Sequence, residues 1–316
     1  MIGFTSGMLA TDHSMEVTYN ESFEKYNIED GHFRLSAAPD ESFIKNIEDE
    51  NDVKLYDISY KEVKAGKNKY RIFVNREKVN KASLMDGRLP EKSDELGIDR
   101  LFAKNNSLKI GDTIKLKGKS FKIVGLIALS DYSALFPKNT DTIFNAQDFT
   151  VATVTNEGFD RLSDAATTPV FAWKNIKNLS ETKQKKLYDD LAKYIAIKAV
   201  YQQITLDEFI PAKENQAIIF TGNDMGRDQS VILVLLAIVM IIMAFIFAIT
   251  TLSMIDKESK SVGTLLASGY TRAELTWHYM RIPILISLLS AILGNILGYT
   301  YFKGLVAGLY YNSYSL

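Results

Sequence analysis

The chain contains no cysteine, which removes disulfide frameworks, thiolate nucleophiles and cysteine-based zinc or iron–sulfur sites from consideration. Histidine is almost as scarce: His13, His32 and His278 are the full set, too far apart in sequence to give a metal-binding spacing. No charge of one sign dominates either. With a formal net charge of -1 there is no basic stripe to displace phosphate counterions, so no nucleic-acid partner is expected. The most informative absence is local. Between Asp228 and Asp256 there is no charged residue at all.

That gap divides the chain. At 316 residues it exceeds the roughly 100 to 200 residues of a usual domain, so at least two units are expected. Nearly all charge lies in residues 1–228, which read as a soluble domain. Residues 231–249 are almost wholly Val, Ile, Leu, Met, Phe and Ala, and about 20 such residues cross a hydrocarbon core of roughly 30 Å. A first span is therefore expected at about 230–254. A second, at about 282–302, is less apolar and includes Pro283, Gly294, Asn295 and Gly298. Pro283 is read as lying in the first turn of that helix, where a missing N–H costs little. Gly294 and Gly298 stand four apart, which lets another helix backbone approach closely, and they are expected to face a transmembrane helix of the same assembly.

Lysine and arginine in the flanks set the orientation. The connecting segment 256–281 carries Lys257, Lys260, Arg272 and Arg281, against Lys213 and Arg227 before the first span and Lys303 after the second. The connection is expected in the cytoplasm and the large domain outside, in a multi-pass cell-membrane protein. A translocated domain needs a preceding signal. The first 20 residues, with Asp12, His13 and Glu16, offer no apolar core for one, and the expectation is a fragment or mis-started reading frame whose preceding membrane helix is missing.

The soluble part reads as α+β. Asp40 is placed to cap a helix bearing Phe43, Ile44 and Ile47. Tyr56, Ile58 and Tyr60 alternate as a strand, as do Tyr70, Ile72 and Val74 after a turn at 65–68. Residues 96–105 read as strand then short helix. The stretches 113–117 and 121–127 form a hairpin around Lys117-Gly118-Lys119-Ser120. Residues 149–155 and 170–173 are strand-like, and Ser180 caps a helix with Leu187, Leu191 and Ile195 on one face.

Candidate chemistry does not survive inspection. Gly118-Lys119-Ser120 would need glycine at 113 to end a phosphate-binding loop, and Thr113 stands there. Asp12-His13-Ser14 holds three triad residue types as sequence neighbours, whereas triads assemble across a fold. Glu29 and Asp30 before Gly31 read as a solvated turn. Asn20-Glu21-Ser22 and Asn178-Leu179-Ser180 match the glycosylation sequon. No catalytic residue, cofactor site or metal site is expected, and the chain is not read as an enzyme.

The connection 256–281 carries the functional signal. It is too long for a hairpin turn and falls into two helical halves. Gly269 suits the left-handed position that ends a helix, and Thr271 with Glu274 forms a T-x-x-E capping box for a helix from Arg272. Val262, Leu265 and Leu266 give the first half an apolar strip suited to a partner groove or, alternatively, to the membrane surface.

Here the sequence resembles the FtsX-like (MacB-type) permease subunits of ABC transporters. Val262-Gly263-Thr264-Leu265-Leu266-Ala267-Ser268-Gly269 matches the family's Ile/Val-Gly-x-Leu-x-Ala-x-Gly run, with Ser261 where the family often has Glu. Asp86-Gly87-Arg88-Leu89-Pro90, then Glu95 and Gly111-Asp112-Thr113-Ile114, look like the core of its extracytoplasmic domain. The resemblance implies an α+β extracytoplasmic domain followed by two transmembrane α-helices joined by a cytoplasmic helix-turn-helix loop. It implies coupling by Val262, Gly263, Leu265, Leu266, Gly269, Thr271 and Glu274 to a separate ABC ATPase subunit. It also implies pairing as a homodimer or with a second permease in the lipid bilayer, and export of peptides, antibiotics or lipids. A membrane-anchored receptor or scaffold is the alternative from a different class.

Overall fold

The computed structural model describes residues 2–177 and 179–314; the sequon at Asn178 lies outside them. The chain forms two compact units, one of Met1–Val17 with Asp224–Tyr310 and one of Thr18–Asn223 with Tyr311–Leu316. These units depart from the limits expected from composition, 1–228 and 229–316, at both termini and by five residues at the boundary between them. Residues 1–17 group with the apolar helices because their glycines pack on one of them.

The elements run α1 (Ile2–Lys25), β1 (Gly31–Leu35), α2 (Glu41–Glu50), β2 (Val53–Asp57), β3 (Tyr60–Ala65), β4 (Asn68–Val74), β5 (Ala82–Gly87) and β6 (Glu95–Asp99). Then come α3 (Arg100–Asn105), β7 (Thr113–Leu116), β8 (Lys119–Leu129), β9 (Phe149–Val154), α4 (Asn156–Asp160), β10 (Thr167–Thr168) and β11 (Val170–Asn175). The chain continues through α5 (Glu181–Tyr201), β12 (Leu206–Pro211), α6 (Gln216–Ala267), α7 (Arg272–Leu297) and α8 (Lys303–Ser313), with a π-helical turn Gly298–Phe302 between the last two.

The mixed unit has two sheets. One, in the order β12-β1-β11-β2, is antiparallel throughout. Its buried face carries Phe33, Leu35 and Trp173 and packs on Phe43 and Ile47 of α2 and Leu191 and Ile195 of α5. Asp40 accepts from the N–H of Phe43 at 2.8 Å and caps α2, while Ser180 stands at the N-cap of α5 without a side-chain bond. Gly31 is needed where it stands, because a Cβ there would lie 2.2 Å from the Trp173 ring. The larger sheet runs β10-β3-β4-β9-β6-β8-β5, with β7 on β8. Two of its pairings are parallel, β4 with β9 and β6 with β8, and every residue of β6 and β9 is buried. The β7–β8 hairpin turns on Lys117 and Gly118, both at positive φ, the conformation whose twist matches that of flanking strands.

Two expectations need correction. The strand read through Tyr56, Ile58 and Tyr60 is two strands. Asp57 Oδ1 accepts from the N–H of Ser59 and Ile58 donates to the carbonyl of Val170, so the chain leaves one sheet and enters the other between Tyr56 and Tyr60. Pro283 does not open a helix; α7 begins at Arg272 and the proline lies inside it, where it removes one intrahelical bond.

The 52 residues of α6, of which those from Asp224 on belong to the helical unit, are more than twice the ~20 that cross a bilayer. Among the described residues, two helical stretches, Gln216–Ala267 and Arg272–Ser313, are long and apolar enough to cross a membrane. Val234, Phe245 and Ile249 of α6 and Leu285, Ile292 and Leu293 of α7 are each more than half exposed. Apolar surface on this scale calls for lipid rather than water.

Candidate functional site

The joint between α6 and α7 is built by two caps. Thr264 and Ser268 each bond back to a carbonyl four residues earlier. Then Gly269 adopts φ +97°, so its N–H reaches the carbonyl of Leu266 and the N–H of Tyr270 that of Leu265. This pair of bonds closes a helix on a left-handed glycine. The next helix starts at once. The N–H of Glu274 donates to Thr271 Oγ1 at 3.3 Å, and the N–H of Thr271 donates to Glu274 Oε2 at 2.8 Å, a reciprocal capping box. These bonds from the Thr271 backbone and hydroxyl hold the exposed Glu274 carboxyl below the usual carboxylate range.

The two helices enclose an apolar groove of about 430 Å³, lined by Met254, Ile255, Val262, Leu266, Leu275 and Pro283 among others. Leu275 is buried. The sequence-predicted residues therefore divide. Val262 and Leu266 line the groove, Leu265 is half-buried and outside its lining, Gly263 has open space around it, and Gly269, Thr271 and Glu274 shape the joint. Met254, Ile255 and Leu275 were missed because nothing in the sequence distinguishes a groove-lining apolar residue from a lipid-facing one.

Gly294 and Gly298 lie against α1 of the same chain. A Cβ on Gly294 would stand 2.9 Å from Ile2 Cβ, and one on Gly298 2.7 Å from the Gly3 carbonyl oxygen. Across from them, a Cβ on Gly7 would lie 2.7 Å from the Gly298 carbonyl oxygen. Ser6 Oγ donates to Asn295 Oδ1 at 2.8 Å, and buried Asp12 accepts from the Tyr310 hydroxyl at 3.2 Å. The signal for this partner was present in the sequence, since Gly3 and Gly7 repeat the four-residue spacing.

The mixed unit holds a buried charged cluster that composition does not reveal. Glu29, read as part of a solvated turn, is 1% exposed; β1 and the chain after β4 close over it. His32 Nδ1 lies 2.5 Å from Glu29 Oε1. Asn80 Nδ2 donates to Glu29 Oε2 at 2.6 Å, and Arg76 Nη1 to Asp131 Oδ2 at 2.7 Å. Burial pushes the Glu29 carboxyl up, but the charge and bond of His32, with Asn80 and Arg76, outweigh it and hold it below the ordinary range. Burial likewise pushes His32 down, and Glu29 above all reverses the sign and holds its pKa above the ordinary value. Asp131 is raised by burial and by Glu29, with Arg76 opposing. Among the described residues no group of three or more His, Asp or Glu could hold a metal ion.

Residues 233–316, which take in most of α6 together with α7 and α8, match the family described as FtsX-like permease C-terminal. The solved structures similar to the chain include two extracytoplasmic domains. One is the extracellular domain of the noncanonic ABC-type transporter YknZ from Gram-positive bacteria, at 11% identity over 57% of this chain and 98% of that one, with a TM-score of 0.31. The other is the periplasmic region of MacB from Actinobacillus actinomycetemcomitans, at 9% identity over 59% of this chain and 91% of that one, with a TM-score of 0.35. No curated protein sequence matches the chain.

Proposed function

We propose that the chain belongs to the membrane subunit of an ABC transporter or mechanotransmission complex, in which a separate cytoplasmic ATPase acts on the joint between α6 and α7. The observation that carries this reading is the permease match over residues 233–316. The joint supports it: a lipid anchor needs neither a glycine-closed helix end nor a capping box, whereas a docking element that transmits force needs a rigid one. The groove beside it gives a partner helix an apolar seat. Peptides, antibiotics or lipids are the classes of cargo such a subunit would export, and a paired copy or second permease would complete the membrane unit. The alternative is a receptor or scaffold, which would have no ATPase partner.

Burying a leucine is worth roughly 1.5 to 3 kcal/mol, so losing two anchors weakens docking by orders of magnitude. Leu265→Asp combined with Leu266→Asp is expected to abolish co-purification of a co-expressed cognate ABC ATPase while leaving membrane insertion intact. Wild-type recovery of the ATPase would favour the receptor reading.

The same reading places the mixed unit outside the cell. In the cysteine-free chain, Ser120→Cys, on the exposed start of β8, is expected to react with a membrane-impermeant maleimide in intact cells. Ser259→Cys, exposed near the end of α6, is expected to react only after permeabilisation. The opposite labelling pattern would invert the topology.

A further inference from the structure

Within the mixed unit, a cleft of about 430 Å³ opens between β1 and β12 of one sheet, β3 and β4 of the other, and the segment 131–140, a size found among small-molecule sites. Its charges are unevenly spread. On the β1 and β12 side they balance, since Arg34 reaches Asp207 and Glu208 and His32 lies on Glu29. On the side of β3, β4 and the segment 131–140 they do not. Of the two carboxylates in that part of the lining, Asp131 is 5% exposed and paired with Arg76, and Glu62 takes Lys69 on Oε2 at 2.6 Å and Arg71 on Oε1 at 2.7 Å. A third cation, Lys138, is exposed and has no ion pair among the described residues; its backbone N–H alone meets a carboxylate, that of Asp141. The three cations stand together, because Arg71 Nη2 donates at 2.7 Å to the carbonyl of Pro137, the residue before Lys138.

We propose that this end of the cleft binds an oxyanion, the carboxylate or phosphate of a ligand of small-molecule size, between Lys69, Arg71 and Lys138, with the Tyr132 hydroxyl as a further donor. One carboxylate, Glu62, faces three cations there, and an anionic ligand supplies the missing negative charge. The cationic groups reach the cleft: the side chains of Lys69 and Arg71 are 29% and 11% exposed, and partial withdrawal from water strengthens their attraction for an anion. A cation would meet the surplus positive charge and find Glu62 bonded on both oxygens.

The donors are held in place before any ligand arrives. The Arg71 guanidinium lies 4.5 Å from the Tyr60 ring and 5.1 Å from that of Phe149, so its planar fork loses little freedom on binding. Tyr132 Oη accepts from Arg71 Nη1 at 2.7 Å, and its own proton has no acceptor among the described residues. Burial above all pushes this hydroxyl up to about 12, so it keeps that proton at neutral pH. Tyr60, Phe73 and Phe136 on the cleft walls give apolar surface for the body of the ligand. The inference does not rest on the permease reading, since it concerns the mixed unit alone.

The test is calorimetric titration of the full chain in a nonionic detergent with N-acetylphenylalanine as the carboxylate probe, phenyl phosphate as the phosphate probe, and N-acetylphenylalanine amide as the neutral counterpart. Saturable binding of at least one anionic probe is expected, and which of the two binds tells a carboxylate ligand from a phosphate one. Lys138→Glu, at an exposed position that leaves the fold alone, is expected to weaken that binding about tenfold or more, the scale of one charge-assisted bond. Tyr132→Phe, which keeps the ring and removes the donor, is expected to weaken it about tenfold as well. Equal binding of the neutral amide, no binding of either anionic probe at about 10 mM, or unchanged affinity in Lys138→Glu would overturn the proposal.

Discussion

Replacing Gly298 by leucine is expected to separate α7 from α1 within the helical unit. A Cβ at that position would stand 2.7 Å from the Gly3 carbonyl oxygen, 2.9 Å from Ser6 Cβ and 3.1 Å from the Gly7 nitrogen. Two of the three neighbours are backbone atoms, which cannot swing aside as a side chain would. Overpacking typically costs about 1 to 3 kcal/mol where side chains can adjust; here only movement of a whole helix relieves the clash. The cysteine-free chain provides a direct readout. The side chains of Ser6 and Asn295 meet, with Oγ and Oδ1 2.8 Å apart, so a Ser6→Cys, Asn295→Cys pair should be joined in the membrane by a short thiol-specific cross-linker. Adding Gly298→Leu is expected to lower the yield about tenfold, the ratio that 1.4 kcal/mol produces. Gly304→Leu supplies the control, since a Cβ there meets nothing within 4 Å. Undiminished cross-linking with Gly298→Leu would mean that α1 and α7 do not depend on this contact.

The same contact shows where sequence reasoning succeeded and where it stopped. The uncharged run after Asp228, the glycine at 269 and the T-x-x-E at 271–274 are local signals, and each fixes a helix, an end or a start without reference to the rest of the chain. Strands with clean alternation, such as Tyr70, Ile72 and Val74, were equally legible. The helical state of residues 2–25 was not. Its hydropathy is low because glycines, Ser6, Thr11 and Asp12 occupy the face against α7 and α8, and small or polar residues at a close helix contact look like a loop. Glu29 was misread for a related reason. An acidic pair before a glycine is usually solvated, and only the fold brings His32, Asn80 and Arg76, the last 47 positions along by residue number, to its side.

Removing Arg76 is expected to be among the most damaging single changes in the mixed unit. Arg76 and Asp131 form an ion pair with both side chains 5% exposed, and the arginine also lies over the Phe73 ring at 4.0 Å. Arg76→Ala leaves Asp131 buried beside Glu29 with its nearest cation gone. Breaking a buried pair from one side costs about 3 to 5 kcal/mol, a large part of the 5 to 15 kcal/mol that holds a domain together.

The pH dependence separates this mechanism from simple loss of packing. Asp131 has a raised pKa in the folded state, so its contribution is fully present below its unfolded value near 3.9 and is lost as pH rises through the folded value. Without Arg76 the folded pKa climbs further, and the variant should recover stability relative to the wild type as pH is lowered. His32 adds a second limb with the same sign. Its raised pKa gives stability that is present below about 6.5 and is lost as pH rises through the folded value. Glu29, held low, acts oppositely: its contribution is present above its unfolded value near 4.3 and disappears as pH falls through the folded one. Urea unfolding of the full chain in detergent, followed by Trp173 fluorescence from pH 4.5 to 8.5 with Trp277→Phe to remove the other tryptophan signal, measures all three. The wild type should weaken on the alkaline side, and His32→Gln should flatten that limb. Arg76→Ala should be least stable at pH 8.5 and closest to wild type near pH 5. A deficit for Arg76→Ala that stays constant across this range would assign its loss to packing on Phe73, and the buried charges would then have no part in holding the unit together.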